Sequence, residues 1–317
     1  MDSADENEYC QDDPLGIRLS NNMSDDDWQK NGPLVIGGMG GSGTRLVAEI
    51  CSLLGWYLGD DLNIASDNLL YTLLFRRRTW FLKAYRQNSS YSTGLSLLEK
   101  LILKKFLLNP REIWYLVYAV ADMALHYRDE RTWAFKRLAA LFRKSDFELS
   151  DYCGWGWKEP NTYLLIEQMG SYFNNLKFIH TVRHGLDMAF SKNQRQMRAW
   201  GELFGIPRPV NTRQIPPASL AYWVRANQAA ARQGKKLGKD HYLQISFDQL
   251  CRQPHEVINA IISFLNMNPE KEVIQKAVSL PSPPDSLGRY KERDLSQFNP
   301  DDLKAVEDFG FLVERRE

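Results

Sequence analysis

A run of glycines between an apolar strand and a helix constrains this chain more than any other feature of its sequence. The run is Gly37-Gly38-Met39-Gly40-Gly41-Ser42-Gly43. It follows the apolar stretch 34–36, typical of a buried parallel strand, and precedes 44–54, where apolar residues recur at helical spacing. Such a turn lets backbone N–H groups approach an anion at the positive end of the helix dipole. The sequence therefore predicts an α/β fold that binds a phosphate-like group.

Strands and helices alternate along the rest of the chain. Short strands are predicted at 154–158 and 177–182, and alternating apolar residues predict another at 242–247. Helical patterns follow at 186–198, at 217–236 and from Pro254 onward. Between the first helix and the second strand pattern, leucine- and aromatic-rich stripes predict a helical insertion over about 64–150. The alternation favours an α/β fold with a mostly parallel, doubly wound sheet flanked by helices.

Charge divides the chain into a short acidic segment and a basic body. Residues 1–30 hold nine acids and two bases, a net charge of −7, and since the whole chain carries +1 the remainder carries +8. An acidic segment poor in apolar residues predicts a disordered tail over 1–31, followed by one domain over 32–317. A basic body fits an anionic ligand.

Several classes of protein are disfavoured by what the sequence lacks. The four cysteines form no CxxC pair, and no cluster of metal ligands is evident, so no metal site is predicted. The start of the chain does not resemble a signal peptide, and the longest apolar run, 113–125, falls short of the ~20 residues that span a bilayer. We therefore expect a cytoplasmic protein without a membrane span. No nucleic-acid-binding motif is present, and no pattern specifies an oligomeric state.

The glycine run fits two familiar nucleotide-binding loops only in part. Gly38-x-x-x-x-Gly43 has the spacing of a nucleoside triphosphatase loop, but Thr44-Arg45 stands where a lysine and a Ser/Thr are required. Gly38-x-Gly40-x-x-Gly43 is a literal GxGxxG, the pattern of an NAD-dependent oxidoreductase. Two aspartates lie near the distance expected for its ribose-binding acid, Asp60 and Asp61.

A third interpretation uses the residues that open the helix. The hydroxyls of Ser42 and Thr44 can donate to an oxyanion, and Arg45 offers a planar fork of N–H groups. With Gly40, Gly41 and Gly43, this stretch resembles the 5′-phosphosulfate loop of sulfotransferases, a family with a nucleotide-kinase-like α/β fold.

A second segment favours this third interpretation. In the segment 177–191 a predicted strand ends at Arg183, and a predicted helix carries Ser191 two turns later. An arginine at the carboxyl end of a strand points into the crevice where α/β folds bind ligands. The segment resembles the 3′-phosphate-binding element of sulfotransferases, which a dinucleotide-binding protein does not need. The resemblance implies that Arg183 and Ser191 hold the nucleotide.

Further segments carry the same resemblance, which spans about 33–291 and is patchy through the helical insertion. Residues 157–163, with Lys158, resemble the lysine-containing segment of carbohydrate sulfotransferases. Residues 286–290, with Arg289, resemble a loop that closes over the nucleotide. The family often places an acidic general base after its second strand, which implies Asp60 or Asp61, and Glu159 and His184 are rival bases. His180, inside a predicted strand, is interpreted as a core histidine.

The resemblance implies a reaction as well as a fold. The chain is expected to move a sulfuryl group from 3′-phosphoadenosine 5′-phosphosulfate (PAPS), without a metal, to a hydroxyl or amine of a small-molecule or carbohydrate acceptor. One residue departs from the family pattern, because Gly41 stands where many sulfotransferases have a lysine or arginine. Lys158 and Arg45 are the candidate replacements for that cation. A nucleotide-binding protein without activity is the alternative that this departure leaves open.

Overall fold

The structure is a computed structural model that describes residues 31–87, 91–126, 131–142, 148 and 151–314. Its strands are β1 Leu34–Gly38, β2 Trp56–Tyr57, β3 Gly154–Lys158, β4 Lys177–Val182 and β5 Tyr242–Ser246. They form one sheet in the order β2-β3-β1-β4-β5, with β2 parallel to β3 and β4 parallel to β5. The predicted α/β class, with a parallel sheet flanked by helices, is confirmed.

The α-helices flank this sheet and fill the segment between β2 and β3. In chain order they are α1 Thr44–Leu53, α2 Leu69–Phe75, α3 Arg78–Arg86, α4 Ser92–Ile102, α5 Pro110–His126, α6 Arg131–Leu141, α7 Ile166–Tyr172, α8 Gly185–Ala189, α9 Arg195–Trp200, α10 Ile215–Leu237, α11 Phe247–Arg252, α12 Pro254–Phe264, α13 Lys271–Ser279 and α14 Pro300–Asp308. A short 3₁₀ helix, Arg289–Glu292, precedes α14.

The chain divides into two compact units. Within the described residues, the first unit runs to Val35 and continues over Ala48–Glu159 and Gln168–Leu176. The second comprises Ile36–Val47, Pro160–Glu167 and the chain from Lys177 onward. The predicted tail lies outside the described residues, apart from Asn31, and the predicted boundary at residue 31 stays a prediction.

The first unit builds its helical layer from α2 to α6. Leu73, Val120, Met123 and Ala134 bring three of these helices together in one buried cluster. Beside it the guanidinium of Arg77, fully buried, lies 4.2 Å from the centre of the Trp80 ring. A buried arginine is stable only with charge and polar partners, and Asp122 lies 3.6 Å away.

In the second unit, β4 and β5 are covered by α10. His180 on β4 is completely buried, as the sequence predicted for a core histidine. Its Nε2 donates to Oδ1 of Asn227 at 3.1 Å, and its Nδ1 accepts from the Tyr242 hydroxyl at 2.7 Å. Both ring nitrogens are therefore satisfied in the neutral form of the imidazole.

This histidine makes the stability of the protein depend on pH. Burial lowers the pKa of His180 from 6.5 to about 4. The unfolded chain then takes up the proton first, so we expect stability to fall as the pH drops from about 6.5 to about 4, by on the order of 3 kcal/mol. Urea unfolding of wild type and His180→Asn across this range measures the effect. The free energy of unfolding of His180→Asn should depend less on pH than that of wild type. His255→Asn, at an exposed position, should show the same pH dependence as wild type. Equal slopes for all three proteins would contradict the prediction.

The prediction of a single helix over 186–198 is wrong, because the structure has two separate helices in this range. Helix α8 ends at Ala189 and α9 begins only at Arg195. The buried amide of Gln194 donates to the carbonyl oxygens of Met188, Ala189 and Ser191, at 3.1, 3.2 and 2.8 Å. These bonds satisfy carbonyls that a continuing helix would have bonded along its own backbone. Ser191 consequently lies in a loop and not two turns into a helix.

Candidate functional site

The glycine run forms the expected loop from β1 into α1. Residues 39–43 make the turn, in which the Ser42 amide donates to the Met39 carbonyl at 2.9 Å, and α1 begins at Thr44. The first amides of a helix have no partner within it, so they remain available to an anion. The side chains of Ser42 and Thr44 are buried in the second unit, whereas that of Arg45 is exposed.

An aromatic ring packs closely against the backbone of the glycine loop. Gly43 has φ +93°, and a Cβ atom there would overlap the ring of Phe247, the first residue of α11. The same ring lies 5.2 Å from the guanidinium of Arg183, within range of a cation–π interaction. Phe247 therefore packs against both the loop and the arginine that the sequence assigned to the nucleotide.

A side chain at position 43 is expected to disturb this packing. Gly43→Ala should lower the free energy of unfolding by about 2 kcal/mol more than Gly238→Ala, because the added methyl group must displace Phe247. Gly238 is a matched control, with φ +92° and no atom within 4 Å of an added Cβ. Urea unfolding of both variants measures the difference. Equal losses would show that strain from the positive φ is the whole effect.

The tip of the loop is held by a chain of polar side chains. The Gly40 amide donates to Oε1 of Gln196 at 2.6 Å, and Nε2 of Gln196 donates to Oδ1 of Asn161 at 2.8 Å. That oxygen also accepts from the indole of Trp200 at 2.8 Å. Gly40 thus has its amide engaged by Gln196, a residue that the sequence did not single out.

Arg183 follows β4 directly and contacts the loop. Its Nη1 donates to the Gly41 carbonyl at 3.4 Å, and its Nη2 donates to the Ser286 hydroxyl at 2.8 Å. The side chain is buried, with 7 % exposed, and burial lowers the pKa of its guanidinium. Arginine nevertheless stays charged in proteins. The structure therefore keeps a cation beside the glycine loop at the end of a central strand.

A second arginine is brought to the same place by the segment 286–290. Nε of Arg289 donates to the Ser286 carbonyl at 3.1 Å, so one serine joins both arginines. The positive charge of Arg289 also lowers the pKa of Arg183. Asp187, completely buried in α8, anchors this segment by accepting from the Gly288 and Tyr290 amides at 2.7 and 3.2 Å. Two cations held together in this way favour an anion between them.

Two buried polar atoms at this place have no hydrogen-bond partner among the described residues. They are the hydroxyl oxygen of Ser42, in a side chain that is 1 % exposed, and Nε of Arg183. Buried polar groups are nearly always paired, so each such atom calls for a ligand or water. A hydroxyl and a guanidinium are both suited to phosphate and sulfate oxygens.

Comparison with known proteins identifies the family of the chain. The sequence model described as the sulfotransferase family matches residues 33–271. The chain belongs to the sulfotransferase family. This match decides against the NAD-dependent oxidoreductase that the literal GxGxxG allowed.

Solved structures of sulfotransferases resemble this chain at low identity, and one of them, with a TM-score above 0.5, shows the shared fold. The sulfotransferase domain from the curacin biosynthetic pathway is 16 % identical, with a TM-score of 0.51, over 90 % of this chain and 100 % of that one. The sulfotransferase domain of the Synechococcus PCC 7002 olefin synthase is 17 % identical, with a TM-score of 0.49, over 91 % and 98 %. Sulfotransferase STF9 from Mycobacterium avium is 14 % identical, with a TM-score of 0.45, over 90 % and 78 %. No curated protein matches the chain.

The residues predicted to hold the nucleotide all lie in the second unit of this sulfotransferase. Gly41, Arg183 and Arg289 are joined through the contacts described above. Ser191 is half-buried, and its hydroxyl accepts from the Asn193 amide at 3.2 Å, which holds the turn after α8. Its predicted contact with the nucleotide stays a prediction.

The residues predicted for catalysis lie in the first unit, each in an ion pair. Lys158, at the end of β3 and 1 % exposed, donates to the Ala65 carbonyl at 2.6 Å and pairs with Asp67. Asp61 is buried 3.1 Å from Nη1 of Arg137, and Asp60 pairs with Lys104 at 2.6 Å. Each of the three predicted catalytic residues is therefore paired with a side chain of opposite charge.

The rival bases differ in their surroundings. His184 donates from Nε2 to the Leu312 carbonyl at 3.0 Å and accepts at Nδ1 from the Leu186 amide at 3.3 Å. With both nitrogens engaged, it caps α8 and has no nitrogen left for an acceptor proton. Glu159 is buried beside Lys158 in the chain.

The described residues hold no group of His, Cys, Asp and Glu side chains that could bind a metal ion. Among the described helices, none has the length and hydropathy needed to cross a bilayer.

Proposed function

We propose that this sulfotransferase takes its sulfuryl group from PAPS and transfers it to a hydroxyl or amine of a small-molecule or carbohydrate acceptor. The observation that carries the proposal is the position of Arg183. It is buried beside the glycine loop, shares Ser286 with Arg289, and leaves Nε unpaired among the described residues. A donor with a phosphosulfate and a separate 3′-phosphate supplies two anionic groups for these cations and for the helix amides.

The reaction requires positioning and charge stabilisation more than covalent chemistry from the protein. The acceptor oxygen or nitrogen attacks sulfur in line, a new bond to sulfur forms, and the bond from sulfur to the bridging phosphate oxygen breaks. Its electron pair leaves with 3′-phosphoadenosine 5′-phosphate (PAP), and the acceptor proton passes to a base. The sulfuryl group carries less charge than a phosphoryl group, so amides and cationic side chains can suffice without a metal.

Many family members have a lysine or arginine at the position of Gly41, where its charge faces the phosphate of the departing nucleotide. Glycine supplies no such charge. We propose that Lys158 supplies this charge, with Arg45 as the second candidate. Asp61 or Asp60 would accept the acceptor proton. Each aspartate lies beside a cation, Lys104 for Asp60 and Arg137 for Asp61.

Titration of the full chain with nucleotides tests the proposal. Isothermal titration should show micromolar binding of PAP, with NAD and ATP at least about 100-fold weaker, which is the discrimination that a few paired charges provide. Mixing with labelled PAPS and a panel of hydroxyl and amine acceptors should then give labelled product. Binding of PAP without turnover would support the non-catalytic alternative. A preference for NAD or ATP, or no binding of PAP, would overturn the proposal.

A further inference from the structure

Helix α5 turns a row of large apolar side chains toward solvent. We define this apolar face as Ile113, Trp114, Val117, Tyr118 and Leu125, whose spacing places them on one side of the helix. Each exposes about half of its surface or more, and Trp114 exposes 73 %. A helix at the surface of a soluble protein normally presents polar residues there, so a continuous apolar face indicates an interaction site.

Neighbouring aromatic residues share the outer surface of the same unit. Helices α5 and α6 both bury residues in the cluster of Leu73, Val120, Met123 and Ala134, so their other sides face outward. Phe135 on α6 is exposed, and the exposed Phe142 stacks on Phe106 with ring centres 6.1 Å apart.

The exposed charges that the structure describes around the apolar face have one sign. The carboxylates of α5 are turned inward, where Glu112 pairs with Lys100 at 2.8 Å and Asp122 with Arg77 at 3.6 Å. In the described part of α5, α6 and the loop before them, the exposed charged side chains are Lys105, Arg111 and Lys136. All three are positive, so the surface complements a negative partner.

We propose that the apolar face docks on an anionic lipid surface, with α5 lying in the plane of the headgroups. The aliphatic and aromatic side chains enter the boundary between headgroups and acyl chains, where tryptophan and tyrosine are favoured. The three cations lie near the headgroup phosphates. A second copy of the chain fits less well, because a symmetric interface sets each patch against itself and would bring like charges together. The proposal is independent of the donor nucleotide.

Vesicle flotation of the full chain tests the proposal. Binding is expected to vesicles of phosphatidylcholine with phosphatidylserine, to weaken with added salt, and to be poor to phosphatidylcholine alone. Trp114→Glu should reduce partitioning at least about tenfold, since a charge cannot enter the acyl boundary. Val210→Glu is the matched control, because Val210 is 85 % exposed in the second unit, and it should partition like wild type. Trp114→Phe should still bind but lose quenching of tryptophan fluorescence by brominated lipid.

Circular dichroism and thermal unfolding establish that the variants are folded. Absence of binding by the full chain would overturn the proposal, as would equal losses in Trp114→Glu and Val210→Glu. If sedimentation shows that Trp114→Glu converts a dimer into a monomer, the face belongs to a second copy. If binding occurs only after residues 1–30 are removed, the acidic segment covers the face, and the proposal is also wrong.

Discussion

Arg183→Ala is expected to weaken binding of PAP by roughly 100-fold, the effect of removing charge-assisted hydrogen bonds from a buried anion site. The fold should tolerate the change. The contact that ties this point of the chain to α10 is made by the backbone, where the Arg183 carbonyl accepts from the Trp223 indole at 3.0 Å. The variant also removes the repulsion between Arg183 and Arg289. Isothermal titration with PAP measures the loss, and thermal unfolding checks the fold.

Two further variants separate charge from geometry at this position. Arg183→Lys keeps the charge but not the planar fork, so an intermediate loss of about tenfold is expected. Arg213→Ala removes an exposed arginine and should leave the affinity unchanged. Affinity for PAP that is the same in Arg183→Ala and wild type would place the 3′-phosphate elsewhere.

Lys158→Met is expected to lower the turnover of PAPS by about 100-fold or more, the usual effect of removing a group that stabilises charge in a transition state. Methionine keeps most of the apolar stem in the buried site. Affinity for PAPS should change by no more than about threefold, because the ammonium acts on charge that develops on the leaving phosphate during transfer. Release of PAP from saturating PAPS, in a mixture of hydroxyl and amine acceptors, measures turnover.

The ion pair with Asp67 supplies the control for this prediction. If Lys158 only stabilises the loop that carries Asp67, then Asp67→Asn and Lys158→Met should both lower the melting temperature and leave turnover per folded molecule unchanged. If Lys158 is catalytic, only Lys158→Met should lower turnover. Full turnover by folded Lys158→Met would remove this residue from the mechanism.

Local patterns predicted the parts of the fold that local sequence determines. The strands β1, β3, β4 and β5 were all expected; β1, β3 and β4 are mostly buried, whereas β5 alternates and buries only Ile245. Strand β2 was not predicted from the residue pattern, because its two residues, Trp56 and Tyr57, are too few to show an alternation of apolar and polar side chains. The break between α8 and α9 was not predicted, because the polar residues 191–196 contain no glycine or proline to mark it. The side-chain amide of Gln194 satisfies the backbone carbonyls at the break.

The candidate site divides in the same way. The loop at 40–45 and Arg183 were predictable, since glycines before a helix and a basic residue after a strand are adjacent in the chain. Asp187 and Ser286 were not, because their role lies in contacts across about 100 residues of sequence. Nothing near Asp187 distinguishes it from a solvent-exposed acid at the start of a helix. Its burial beneath the segment 286–290 becomes visible only in three dimensions.

The hydrogen bond between the Gly40 amide and the Gln196 side chain affects how the ligand binds to the free protein. Gln196, oriented through Asn161 by Trp200, occupies an amide that an incoming anion can also use. Replacing the glutamine oxygen by a ligand oxygen exchanges one hydrogen bond for another, which leaves the loop in the same backbone conformation. The loop therefore loses its conformational entropy when the protein folds and not when the ligand arrives. This preorganisation favours fast association with little rearrangement of the backbone, and it makes α9, the helix that carries Gln196, the element that responds when the site fills.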